Sequence, residues 1–241
     1  MDDHALAHHL AAQARDLLVR LRLTDLDGGE LGREGDRQAH VLLTGALREH
    51  RPGDAVLSEE GALERGPRLW IVDPLDGTLE YRAGRDDWAV HVALAENGNL
   101  AAGAVALASG RTHSTLAPAP LPVPPQRTRP RVVVSRSHRP PLADALAAVL
   151  DVDLVPLGSA GVKTIEVCTG AADAYVHDGG QHEWDSAAPV AVARAAGAHA
   201  SRIDGAPLVY GGPTARIPDL LVCRPELASV LLEALSLARL S

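Results

Sequence analysis

Between Trp70 and Thr78 the chain reads Trp-Ile-Val-Asp-Pro-Leu-Asp-Gly-Thr, an apolar run that ends in Asp73 and is followed at once by Asp76, Gly77 and Thr78. A tight turn at the end of such a strand can aim Asp76 back toward Asp73, and two carboxylates that close repel unless something positive lies between them. Hard cations such as Mg²⁺ take oxygen ligands and commonly complete their shell with substrate phosphate. The pattern therefore suits metal-assisted chemistry on a phosphate ester. Pro74 is expected to stop strand pairing, Gly77 to let backbone approach a ligand, and Thr78 to orient a water or bond a phosphate through its hydroxyl. An ordinary Asp-Gly turn uses the same residues.

Other acids could join them. Glu59 and Glu60 end the preceding strand-like segment and would lie beside Asp73 if the two strands were neighbours; a solvated acidic pair is the plainer reading. Asp185 follows Asp76 by 185 − 76 = 109 residues and stands just before an apolar helical run, where it suits an N-cap. Asp36 likewise reads as a cap ahead of Arg37. His4 and His8 have a metal-pair spacing without a third ligand and read as surface residues. Cys168 fits core packing, and Trp184 suits either a stack near substrate or a wedge between helix start and core.

The totals narrow the class. With 241 residues, 46% of them hydrophobic and none of them Phe, the chain can bury a large core of Ala, Val, Leu and Ile. A formal charge of −8 argues against a nucleic-acid polymer, whose binding needs many Lys and Arg. Cys168 and Cys223 are too few for a disulfide scaffold and fit a reducing cytoplasm. The first residues carry acids where a signal peptide has basic residues, and no uncharged apolar run reaches the ~20 residues of a membrane span.

Helical spacing covers 6–23 and 39–47, strands are expected at 55–60 and 68–73, and paired strands over 88–107 turn at Asn97 and Gly98. That half reads as helices on a largely antiparallel sheet. The proline-rich stretch 118–130 supports neither helix nor central strand and reads as a crossing. Beyond it strands at 131–135, 153–157 and 173–177 alternate with helices at 142–150, 160–172 and 186–198, a βα lobe. The division expected is therefore 1–128 and 129–241. Loops at the carboxyl ends of strands, where ligands usually sit, carry Ser135 to His138, Gly158 to Gly161 and the approach to Asp185. The loop at Gly158 opens a helix whose free N–H groups attract anions, and Lys163 one turn in adds a point charge or is simply solvated.

Ser58-Glu59-Glu60 ahead of the Trp70 motif, followed by the stretch from Glu183 to Gly197, resembles the inositol monophosphatase superfamily and, among its branches, the CysQ-type 3′(2′),5′-bisphosphate nucleotidases. The likeness covers nearly the whole chain except its ends and the proline-rich crossing. It implies a mixed α+β and α/β fold, a layered αβαβα sandwich of two lobes. It also implies that Glu59, Asp73, Asp76, Asp185 and the Leu75 carbonyl hold two or three Mg²⁺ ions, with Asp73 bridging and Li⁺ inhibitory. Asp36 and Thr78 would activate the attacking water, with Glu59 a catalytic group as well, in an in-line displacement without a phosphoenzyme. Ser58 stands where the family often has Gly, and Tyr81 where it has Phe.

Substrate contacts implied by the resemblance are Ser135, Arg136, Ser137 and His138, then Gly158, Ser159 and Lys163, with Gly77, Thr78 and Asp185 beside the metals. The expected reaction removes the 3′-phosphate of 3′-phosphoadenosine 5′-phosphate (PAP) to give AMP, with the sulfated relative PAPS a second substrate. Inositol phosphate and fructose 1,6-bisphosphate are the alternatives within the superfamily, and a non-catalytic nucleotide or metal sensor is the alternative outside it. Expected partners are this small nucleotide and a second copy of the chain, with no nucleic-acid polymer and no membrane.

Overall fold

The computed structural model describes residues 1–124, 126–138 and 141–239. Helix α1 (Asp3–Leu21) starts where the Asp2 carboxylate accepts the Ala5 N–H at 2.8 Å, and it buries Leu6, Leu10, Ala14 and Leu18 along one stripe. Helix α2 (Gly28–His50) is far longer than the 39–47 read from periodicity. Its cap is Asp27, which accepts the Glu30 N–H at 2.9 Å, so Asp36 is not a cap but lies in the middle of the helix. Glycines concealed the stripe: a Cβ on Gly35 would come within 3.1 Å of Leu18 and 3.2 Å of Tyr81, so the buried face there carries no side chain to reveal it.

Strand β1 (Ala55–Ser58) pairs parallel to β2 (Arg68–Asp76). The one-turn helix α3 (Thr78–Arg82) leads to β3 (Ala89–Glu96), which is antiparallel to β2, and to its hairpin partner β4 (Asn99–Leu107). Asn97 and Gly98 make the hairpin turn with φ of 49° and 83°, and the short edge strand β5 (Thr112–Ser114) completes the sheet. Pro74 does not end β2. Pairing runs to Asp73 opposite His91, slips, and resumes at Asp76 opposite Ala89, so the proline's missing donor falls inside a bulge.

The proline-rich stretch forms neither helix nor strand among its described residues; Pro125 lies outside them, as do Arg139 and Pro140 beyond the Ser135–His138 loop. There follow β6 (Arg131–Ser135), α4 (Pro141–Val149), β7 (Asp153–Leu157), α5 (Ala160–Cys168), β8 (Ala174–His177), β9 (Gln181–His182) and α6 (Glu183–Ala195). The chain ends with β10 (His199–Ser201), β11 (Arg216–Ile217), β12 (Leu220–Cys223) and α7 (Ala228–Ala238). The second sheet has the order β10-β12-β8-β6-β7, with β6 parallel to β7 and β8 and with β12 antiparallel to both β8 and the edge strand β10; β9 and β11 form a two-stranded ribbon.

Five layers result. Along β2, Trp70 and Val72 face α1 and α2 while Leu69 and Ile71 face the other way, toward Ala187 and Ala188 of α6. Helices α5 and α6 lie between the two sheets, and α4 and α7 cover the far face of the second sheet through Leu146, Leu231 and Leu235. With few aromatics available, the central contact is a close approach of small residues: a Cβ on Gly103 of β4 would lie 2.6 Å from that of Ala191 and 3.3 Å from the Ala188 carbonyl oxygen. No described helix is long and apolar enough to cross a membrane. Gly103→Val should overfill that contact and destabilise the fold by about 1–3 kcal/mol, read as a lower denaturation midpoint; an unchanged midpoint would refute the assigned close packing.

Candidate active site

The bulge in β2 places Asp73 and Asp76 on the two sides of one backbone irregularity, where Asp73 Oδ1 accepts the Leu75 N–H at 3.1 Å. Asp185 arrives from the other half of the chain. It is not the N-cap of α6: the helix begins two residues earlier, and Asp185 reaches back to accept the His182 N–H at 2.6 Å. Asp73, Asp76 and Asp185 offer oxygens that all lie within 4.8 Å of one another. Among the described residues this is the one acidic or sulfur-nitrogen cluster of that kind.

Packing three carboxylates together has the electrostatic consequence expected of it. Burial, then repulsion from Glu59 and Asp76, holds the Asp73 carboxyl well above the usual range. Burial and the Asp76 charge push Asp185 up to about 6. Burial acts on Asp76 in the same direction, yet the neighbouring His91, Lys163 and Ser159 outweigh it and hold this carboxyl low. Its Oδ2 accepts from the Ser159 hydroxyl and from the Gly161 N–H at 2.9 Å, and stands 3.2 Å from His91 Nε2. Both hydrogen bonds fall on Oδ2, while the buried His91 Nε2 makes none.

Glu59 directly follows β1 at the solvent edge of this cluster. The residue is exposed, and partial desolvation together with the Asp185 and Asp36 charges pushes its carboxyl up to about 8. Asp36, on the inner side of α2, is pushed up to about 7 by burial and by Glu60, against a hydrogen bond from Thr78. Its buried Oδ1 has no partner. The single Thr78 hydroxyl proton also has the Leu75 carbonyl within reach at 3.0 Å, so Asp36 and Leu75 compete for it. An all-oxygen donor set with raised carboxyl groups and an orphaned buried oxygen fits a divalent cation better than any neutral occupant.

A cavity of about 360 Å³ opens beside the acids. Asp76, Gly77, Thr78 and Asp185 line it. So do Ser135, Ser137 and His138, and Gly158, Ser159 and Lys163. Arg136, Asp36, Glu59, Asp73 and Leu75 do not belong to its lining; Arg136 instead bonds to Glu80 and Asp87. Lys163 is not a solvated helix residue. It is 3% exposed, donates to the Gly158 carbonyl, stands 5.2 Å over the Tyr175 ring, and burial draws its ammonium down to about 8.

Sequence reasoning passed over His91, which is fully buried and whose Nδ1 meets the Trp184 carbonyl at 3.1 Å. A histidine set between valines at the centre of an apolar strand was the available signal. Tyr175, His177 and Gln181 of the cavity wall were missed as well: Gln181 sits on β9, too short to show a pattern, and the strand pattern of β8 does not tell which of its residues face a cavity. Trp184 is the wedge, buried in the central core with its ring stacked on His182 at 4.5 Å. His4 and His8 bond Thr115 and Ser114 of the β5 region, which makes them a staple for α1. Cys168 packs in the core.

The inositol monophosphatase family matches residues 22–236. The chain belongs to this family. It is 48% identical over 222 residues to the 3′-phosphoadenosine 5′-phosphate phosphatase of Mycobacterium tuberculosis (strain CDC 1551 / Oshkosh), covering 86% of this chain and 82% of that protein. The 3′(2′),5′-bisphosphate nucleotidase CysQ of Escherichia coli (strain K12) is 33% identical over 191 residues, 73% of this chain and 77% of the relative. Among solved structures, Mycobacterium tuberculosis SuhB superposes with a TM-score of 0.79 at 26% identity, covering 98% of this chain and 96% of the other. The layered architecture of this chain is thus shared with that solved structure.

Without a cation, Asp36, Glu59 and Asp73 keep protons in the folded state at pH values where the unfolded chain has lost them. The folded state then binds more protons, so stability must fall as pH rises toward the folded values. Histidines such as His177, drawn down to about 4 by burial, act in the opposite sense only below about 6.5. In EDTA the melting temperature should therefore fall between pH ~6.5 and ~8, and millimolar Mg²⁺ should abolish that fall. A flat or rising EDTA profile by scanning calorimetry would contradict the cluster.

Proposed function

We propose that this chain is a Mg²⁺-dependent phosphatase that hydrolyses the 3′-phosphate of PAP to AMP and phosphate, with PAPS as a second substrate. The observation that carries the reading is the meeting of Asp73, Asp76 and Asp185 beside a cavity whose wall contains the buried Lys163. Acids at one place and a cation at another suit a substrate with two phosphates, one held through divalent ions and one held by the protein. The 48% identical relative is named for this reaction, and the 33% identical one for bisphosphate nucleotides.

In this reading Glu59, Asp73, Asp76, Asp185 and the Leu75 carbonyl hold the Mg²⁺ ions. When bound, these ions supply Lewis-acid polarisation of the phosphoryl group and neutralise charge on the attacking and leaving oxygens. Asp36, raised to about 7, is poised near neutral pH to take the proton of the attacking water while Thr78 orients that water. The N–H groups of Gly158, Ser159 and Gly161 at the start of α5 are not free for an anion, being bonded to Asp87 and Asp76, so the positive charge for the second phosphate comes from Lys163 in the cavity wall. Ser135, Ser137 and His138 contribute the polar rim for the nucleoside. Li⁺ is expected to inhibit by taking one cation position. Two free, buried cysteines support a reducing cytoplasmic location.

Phosphate release from PAP, PAPS, inositol 1-phosphate and fructose 1,6-bisphosphate in Mg²⁺ tests the assignment. The highest kcat/KM should belong to PAP; a preference for inositol 1-phosphate, or nucleotide binding without release, would defeat it. Asp76→Asn should lower kcat/KM by ~10²-fold or more, since one ligand of a cation worth several kcal/mol to the transition state is lost, while the circular dichroism spectrum stays unchanged. Near-normal rates in that variant would remove Asp76 from the site.

A further inference from the structure

Asp87 lies between α3 and β3, outside the acidic cluster, yet it carries an unusual share of the contacts that join the two halves of the chain. Its Oδ2 accepts the Gly158 N–H at 2.8 Å and faces Arg136 Nη1 at 2.7 Å; its Oδ1 accepts from Arg85 at 2.9 Å. Its carbonyl oxygen takes the Ser159 N–H at 3.3 Å. Arg136 Nη1 also donates to Glu80 Oε1 at 3.0 Å, so one guanidinium is shared by two largely buried carboxylates of the first half.

The loop they grip has no slack. A Cβ on Gly158 would lie 2.5 Å from Glu80 Cγ and 2.7 Å from the Asp87 carbonyl oxygen, so the backbone sits directly on these residues. From there the loop reaches the acids: Ser159 Oγ and the Gly161 N–H both bond to Asp76 Oδ2, and the Gly158 carbonyl receives Lys163 Nζ. Asp87 thus holds the start of a loop whose next three residues orient Asp76, and the same loop forms part of the cavity wall.

We propose that Asp87, with Arg136 and Glu80, is a positioning cluster for the reaction: it seats residues 158–161 so that they orient Asp76 and place Lys163, and Arg136 serves substrate binding through Asp87 without touching the substrate. The inference rests on the phosphatase reading of the cavity. A charge-assisted, desolvated bond to a loop N–H is strong enough to matter, and loss of such an outer partner typically costs 10–100-fold in affinity or activity.

The test uses Asp87→Ala, Asp87→Asn, Arg136→Ala and the Asp87→Ala/Arg136→Ala double variant. AMP, which lacks the 3′-phosphate and so does not turn over, is titrated by calorimetry in Mg²⁺ beside steady-state hydrolysis of PAP. Asp87→Ala should weaken AMP binding and raise KM for PAP by about tenfold, raise the Mg²⁺ concentration for half-maximal activity, and be partly rescued in Asp87→Asn, which keeps an acceptor. Arg136→Ala should act in the same direction, and the double variant should be little worse than the poorer single one. If Asp87→Ala fails to fold, the isosteric Asp87→Asn paired with Arg136→Ala carries the comparison. Tighter AMP binding in Asp87→Ala, as when a released Arg136 grips phosphate, would overturn the proposal. So would a fall in melting temperature with AMP affinity and KM unmoved, or fully additive losses. Wild-type protein that neither binds AMP nor releases phosphate counts against the phosphatase reading and this inference together, whereas Asp87 variants matching an active wild type count against the inference alone.

Discussion

Repulsion among buried carboxylates is the constraint around which the molecule is organised. Asp73, Asp76 and Asp185 share a space less than 5 Å across, and Glu59 and Asp36 bring their charges toward it. A cation-free site can lower this energy only by taking up protons, which is why four of these carboxyl groups are raised. Asp76 alone is held low, and its neighbours include His91, Lys163 and the Ser159 hydroxyl. The cluster is stable as a ligand set and strained as a set of bare charges.

Holding such a set together demands rigid elements on every side. Asp73 and Asp76 come from a bulged central strand, Asp36 from a long helix packed on that sheet, and Asp185 from the first turn of α6, which is buried between the sheets. The central layer of Ala and Gly contacts sets the distance between α6 and the first sheet, and hence between Asp185 and the β2 acids. His91 ties the same two elements, facing Asp76 on one side and the Trp184 carbonyl on the other. Packing and chemistry are in this sense one design: what closes the core also closes the site.

Asp73 and Asp76 were legible because their signal is local. An apolar strand that ends in Asp, a turn glycine and a second Asp can be read without neighbours, as can the Asn97-Gly98 hairpin and the alternation from β6 to α6. Other features depend on distant partners. The first half of α2 hides behind glycines that make room for Leu18, Tyr81 and Arg82, so Asp36 looked like a cap. Pro74 looked like a stop because only the pairing with β3 shows that the strand absorbs it in a bulge. The strands after α6 are two to four residues long, below what a period of two can announce. Arg136 was expected among the substrate contacts, and its two carboxylate partners, 56 and 49 residues earlier (136 − 80 and 136 − 87), become visible only in three dimensions.

The claim most exposed to test is that the acids gather around divalent cations. Crystals grown with Mn²⁺, a hard divalent ion with a usable anomalous signal, should show peaks among the carboxylates of Asp73, Asp76 and Asp185, and these should vanish in Asp73→Asn. An anomalous map without density there at saturating Mn²⁺, or with density only elsewhere on the molecule, would contradict the account.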